Sequence, residues 1–180
     1  MADFCCLLEA QIPPLRRYAR ALLRDIGRAD DLIQDTLVRA LAKQHLWQEG
    51  TNLRAWLFTL MHNLHVHVVR QSAREGTMVD FDAVSATLIA TSDPTASRQL
   101  RELEIAIARL PAEQREVVLL IGLEGTRYDE AAAILRVPIG TVRSRLSRAR
   151  DSLRRLLDRN EEPILTAIPL QRTAVSAEVA

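Results

Sequence analysis

Apolar residues recur every three or four positions through nearly every segment of this chain, and strict alternation with β-branched residues is almost absent. That period matches one face of a helix, so it restricts the chain to helices that bury a stripe against one another. Alanine, leucine, arginine and glutamate, all good helix formers, dominate. Hydrophobic residues make up 48% but aromatics only 4%, so the cores are aliphatic, which favours helical packing over a β-sandwich. The expected fold is all-α, and 180 residues suffice for one large or two small domains.

The stretch from Tyr128 to Leu156 is the most informative. It reads as a helix, a tight turn and a second helix, with Thr126 as N-cap and Asp129 three places on as a capping box. Arg136, Val137 and Pro138 end the first helix, and Pro138 suits the first turn of the next. On the second helix Val142, Leu146, Ala149, Leu153 and Leu156 share a stripe, while Arg143, Ser144, Ser147 and Arg148 lie opposite. Cations and small hydroxyls facing outward suit a DNA major groove, where arginine pairs bidentately with guanine and hydroxyls hold phosphates. A solvated arginine-rich face on an ordinary helical hairpin has the same pattern.

A net charge of +1 conceals an asymmetry. Arg143, Arg145, Arg148, Arg150, Arg154, Arg155 and Arg159 crowd one helix against Asp151 and Asp158, whereas Asp25, Asp30, Asp31 and Asp35 cluster near the start. One end suits a polyanion and the other something basic. Cys5 and Cys6 are adjacent and are the only cysteines, a pattern that gives neither a disulfide framework nor a zinc site and fits a reducing cytoplasm. No apolar run is long enough to span a bilayer, so no membrane insertion is expected.

In chain order, a short helix over residues 3–12 precedes Pro13 and Pro14, and a second runs from Pro14 through Ile26 until Gly27 ends it. A third starts near Arg28 with Ala29, Leu32, Ile33, Thr36, Leu37, Ala40 and Leu41 inward and Asp31, Gln34, Asp35 and Val38 outward. That acidic, amide-bearing face reads equally as a solvated surface. After a polar turn around Gly50, a helix from Leu53 to about Arg70 carries Leu57, Met61, Leu64 and Val68 on one stripe. Trp56, Asn63, His67 and Arg70 line another face, and such groups stack on and hydrogen-bond unpaired bases. Trp56 alone reads equally well as an anchor to a neighbouring helix. His62, His65 and His67 do not share a helical face and have no carboxylate or cysteine at ligand spacing, so no metal or other cofactor is expected. No nucleophile–base pair, phosphate-cradling loop or carboxylate pair appears, which argues against an enzyme. Residues 1–74 thus form one domain, 75–97 a linker with a weak helical turn near Phe81 to Ile89, and 98–159 a second domain. The tail over 160–180 is expected to be disordered or a docking peptide. A flexible linker of that length lets the two domains occupy well-separated sites on one duplex.

Four stretches together resemble one family, the bacterial RNA polymerase sigma factors of the extracytoplasmic-function type: ADDLIQDTLVRAL (Ala29 to Leu41), NLRAWLFTLMHNL (Asn52 to Leu64), LPAEQREVVLL (Leu110 to Leu120) and VPIGTVRSRLSRARDSLRRLL (Val137 to Leu157). The resemblance implies that Asp31, Gln34 and Asp35 grip the clamp helices of the largest subunit of core RNA polymerase. It implies that the turn ending at Asn52, with Trp56, Asn63, His67 and Arg70, captures flipped bases of the melted downstream promoter element, and that Arg143, Ser144, Ser147 and Arg148 read the upstream element as duplex. It also implies an anti-sigma factor as partner. The chain departs from the family pattern at His62, where many members have arginine, at His67, where they have an acidic or amide residue, and at Arg136, where they have glycine. Arginine at this last position implies a turn without a left-handed residue there. A sigma-like decoy that sequesters an anti-sigma factor would not need the reading face on the last helix. A dimeric helix-turn-helix repressor leaves the DLIQD face and the Trp56 helix unexplained.

Overall fold

The computed structural model describes residues 4–75 and 94–158, and every regular element among them is a helix. The helical turn expected within the linker and the tail after Asn160 lie outside the described residues. The first module comprises α1 (Phe4–Glu9), α2 (Ile12–Leu23), α3 (Ile26–Ala42) and α4 (Leu53–Glu75). The second comprises α5 (Pro94–Ala108), α6 (Ala112–Val118), α7 (Tyr128–Leu135) and α8 (Ile139–Asp158).

Pro13 and Pro14 lie in the first turn of α2, where a missing N–H costs nothing because that donor would have no partner within the helix. The helix buries Leu15, Tyr18, Ala19, Ala21 and Leu22, with the Tyr18 ring edge-on to Phe58 at 5.1 Å. It ends earlier than the Gly27 expected from sequence. Arg24 adopts the left-handed conformation (φ 58°) with its N–H on the Arg20 carbonyl, and Asp25 caps α3 by accepting the Arg28 N–H at 2.9 Å. That side-chain cap satisfies an otherwise orphaned donor, so α3 begins at Ile26 and Gly27 sits inside its first turn.

The apolar stripe predicted for α4 is only half present. Leu57 and Met61 are fully buried, but Leu64 is partly buried and Val68 is 53% exposed, while Phe58, Leu60 and His65 are buried instead. The cause is tertiary: α4 packs against α3 on one side and against α7 of the second module on another, so its proximal half is buried on more than one face.

The second module turns on two local devices. After α6 the chain continues as a π-helical turn over Leu119–Leu123, closed by the Glu124 N–H on the Leu119 carbonyl at 3.0 Å. Helix α7 is capped differently from expectation. The Thr126–Asp129 box does not form; the Glu130 carboxylate instead accepts from the Arg127 N–H at 3.3 Å, which starts the helix one residue later.

The two modules are packed together. Helix α4 lies on α7, the π turn lies on α2, and one apolar cluster joins Leu15, Leu57 and Met61 to Val117, Leu120 and Ile134. Across this closed seam carboxylates of the second module lie against cations and imidazoles of the first.

Candidate nucleic-acid and polymerase interface

The helix-turn-helix is built by the buried side of α8. Val142 and Ala149 have no exposure and Leu146 has 5%, so the stripe is fixed against the module core and the opposite face points outward. On that face Arg143, Ser147 and Arg148 are exposed. Ser144 is half-buried, and its hydroxyl donates to the Thr141 carbonyl at 3.0 Å, which leaves it only acceptor capacity toward a ligand. Tyr128, Arg150 and Arg154 join Arg143 and Ser147 around an open recess; the two arginines belong to the cationic run expected to suit a polyanion, whereas Tyr128 was not among the expected groups. Tyr128 escaped notice because its position depends on how α7 crosses α8.

The turn between α7 and α8 contradicts the expectation for Arg136. This residue is left-handed (φ 54°, ψ 43°), with its N–H on the Ala133 carbonyl at 3.3 Å and the Val137 N–H on the Ala132 carbonyl at 3.1 Å. These two bonds form a Schellman closure, and they satisfy carbonyls that the end of α7 would otherwise leave open. The turn geometry thus overrides the steric preference of arginine.

At the other proposed DNA surface, Gly50 supplies the positive φ (86°) of the turn and the Asn52 side chain caps α4 by accepting the Ala55 N–H at 3.1 Å. The Asn52 amide nitrogen donates across the module boundary to Glu130 at 2.7 Å. Along α4, Trp56 is partly buried against the core and Asn63 is half-buried, whereas His67 and Arg70 are exposed. The four residues follow one side of the helix but differ in access, and Trp56 takes at least part of the anchoring role.

Asp31, Gln34 and Asp35 are exposed on α3, opposite the buried Ala29, Leu32, Ile33, Thr36 and Ala40. Asp31 and Asp35 border a groove whose apolar part includes Leu23, Val68 and Val69. The valines were assigned to the core or passed over in the sequence, because periodicity does not reveal where α4 outruns its neighbours.

Between the modules, Glu116 of α6 faces His62 at 3.7 Å and His65 at 3.9 Å. These separations exceed hydrogen-bond length. Burial pushes Glu116 up to about 7 and His65 down to about 4, and lowers His62 as well, so the cluster is a contact of largely neutral groups rather than an ion pair near pH 6. No carboxylate within the His62 helix predicted this contact. Among the described residues, no group of histidines, cysteines and carboxylates is arranged to hold a metal ion. No described helix is long and apolar enough to cross a membrane.

The described residues thus carry an exposed cationic face on a helix-turn-helix and a separate acidic face on another module. Residues 8–62 match the family described as the Sigma2 domain of PhyR, and residues 100–153 match Sigma-70, region 4. The ECF RNA polymerase sigma factor EcfG of Rhodopseudomonas palustris is 42% identical over 148 residues, spanning 82% of this chain and 81% of that protein. The ECF RNA polymerase sigma factor SigC of Mycobacterium tuberculosis is 34% identical over 142 residues, spanning 74% and 72%. The sigma factor RpoE of Bartonella quintana, solved in complex with the anti-sigma factor NepR, has a TM-score of 0.74 at 39% identity, covering 88% of this chain and 98% of that one. The chain belongs to the extracytoplasmic-function RNA polymerase sigma factors, which direct promoter recognition in transcription initiation.

Proposed function

We propose that this sigma factor divides its work between residues 1–74, which hold core polymerase and the melted downstream element, and residues 98–159, which read the upstream element as duplex. Asp31, Gln34 and Asp35 meet the clamp helices of the largest polymerase subunit. Asn52, Trp56, Asn63, His67 and Arg70 receive extruded bases, and Arg143, Ser144, Ser147 and Arg148 enter the major groove. No bond-breaking chemistry is assigned to the chain: it offsets the few kcal/mol needed to unpair a base by offering stacking and hydrogen bonds to the extruded one. It works in the cytoplasm, where promoter DNA and polymerase are, and an anti-sigma factor restrains it, as NepR partners RpoE in the solved complex.

The observation that carries this reading is the α8 face, with Arg143, Ser147 and Arg148 outward over the buried Val142, Leu146 and Ala149. Arg148→Ala should weaken binding to upstream-element duplex by roughly 1–3 kcal/mol, measured by fluorescence anisotropy, while pull-down of core polymerase persists. Equal loss of both would remove Arg148 from the reading face. Asp31→Arg combined with Gln34→Ala should abolish holoenzyme formation and leave helicity by circular dichroism intact. Undiminished core capture would defeat the role given to α3.

A further inference from the structure

The start of α4 is assigned above to unpaired DNA, yet here it is engaged by the second module. The Glu124 side chain has no exposure and accepts from Arg17 Nε at 2.9 Å and Arg17 Nη2 at 2.8 Å. Arg54 Nη2 donates to the same carboxylate and to the Glu124 main-chain carbonyl, and its guanidinium lies 5.7 Å over the Phe58 ring. Beside them the Asn52 amide donates to Glu130.

We propose that Glu124 is a self-inhibitory latch that occupies, on Arg17 and Arg54, the place of a nucleic-acid phosphate, so that the free protein keeps its strand-binding turn closed until the modules part. The consequence for DNA rests on the function proposed above; the closure itself does not.

Three features support the assignment. Two guanidiniums from different helices converge on one carboxylate, as such groups do on a phosphodiester, while the neighbouring Asn52 amide is held by a second carboxylate, Glu130. The carboxylate is also carried by a defined turn, since Glu124 closes the π turn and precedes Gly125 at φ 65°. Finally, Arg17 and Arg54 retain 41% and 38% side-chain exposure even when closed, so both stay near solvent, and Arg54 lines one recess with Asn52. Removing the cations leaves the fully buried Glu124 carboxylate without a partner, and removing the carboxylate frees two part-exposed arginines to take up water, so either change favours parted modules.

The test uses the full-length chain without polymerase and a labelled single-stranded thymidine oligonucleotide as probe. Glu124→Gln keeps the shape and removes the charge. It should enlarge the radius of gyration in small-angle scattering and tighten oligonucleotide binding about tenfold, as the competent fraction rises. Arg17→Gln with Arg54→Gln should expand the protein likewise without that gain, because the phosphate-binding cations are gone. If Glu124→Gln does not fold by circular dichroism, the double arginine variant alone decides the closure, and unchanged dimensions there overturn the latch. Expansion of Glu124→Gln with unchanged oligonucleotide affinity overturns the phosphate role. Promoter-dependent transcription by wild-type protein with core enzyme, assayed separately, tells failure of the latch from failure of the sigma reading.

Discussion

Arg136 shows how a single residue can be held against its own preference. A left-handed non-glycine residue costs on the order of 1 kcal/mol, and here two backbone hydrogen bonds at the end of α7 hold it there. Arg136→Gly should therefore raise stability by about 1 kcal/mol, read as a higher urea midpoint with an unchanged slope; an unchanged or lower midpoint would show that the arginine side chain offsets its strain. Ser144 is the converse case. Its sequence position placed it with the readers of DNA, but its hydroxyl proton is already given to Thr141, so Ser147 is the freer donor of the two.

At the scale of elements, the seam between α4 and α6 makes stability depend on pH. Glu116 titrates near 7 in the fold against an ordinary 4.5, first because of burial, with Glu113 raising it and Arg145 and Arg115 opposing. Its contribution is complete below 4.5 and is lost as pH rises through 7. His65 runs the other way: burial, with His62 and Arg115 adding to it, lowers it from 6.5 to about 4, so its contribution is present above 6.5 and lost as pH falls through 4. His62 is lowered by burial and by Arg136 and Arg70, and adds to the acid-side loss. The Glu116 limb should lower the thermal midpoint as pH rises from about 4.5 to about 7 and level off above that, against the gain from His65 between about 4 and 6.5. Glu116→Gln should flatten that limb and leave the acid limb of the histidines in place. Parallel profiles for the two proteins would mean that the carboxyl is not the titrating group.

For the whole molecule, the closed arrangement separates two events. The acidic face of α3 stays exposed while Asn52 and Arg54 are engaged by the second module. With the role proposed for that face, core polymerase would meet it on the closed protein, and separation of the modules would follow. Glu124→Gln should accordingly bind core polymerase as wild type does in a pull-down titration, although it binds single strands more tightly. A matching gain in core affinity would mean that closure hides the polymerase face too.

The all-helical fold, the helix-turn-helix and the outward position of Arg143, Ser147 and Arg148 were legible in the sequence, because each depends on periodicity within one segment: Val142, Leu146 and Ala149 bury one side of α8 and so turn the other to solvent. The acidic face of α3 was legible for the same reason. The sequence alone did not disclose that Glu116 meets His62 and His65, that Glu124 gathers Arg17 and Arg54, or that Asn52 is taken by Glu130. Those partners lie 51 to 107 positions apart along the chain. Local periodicity carries no information on which charged surfaces meet when two modules close, and only the tertiary structure brings them within reach.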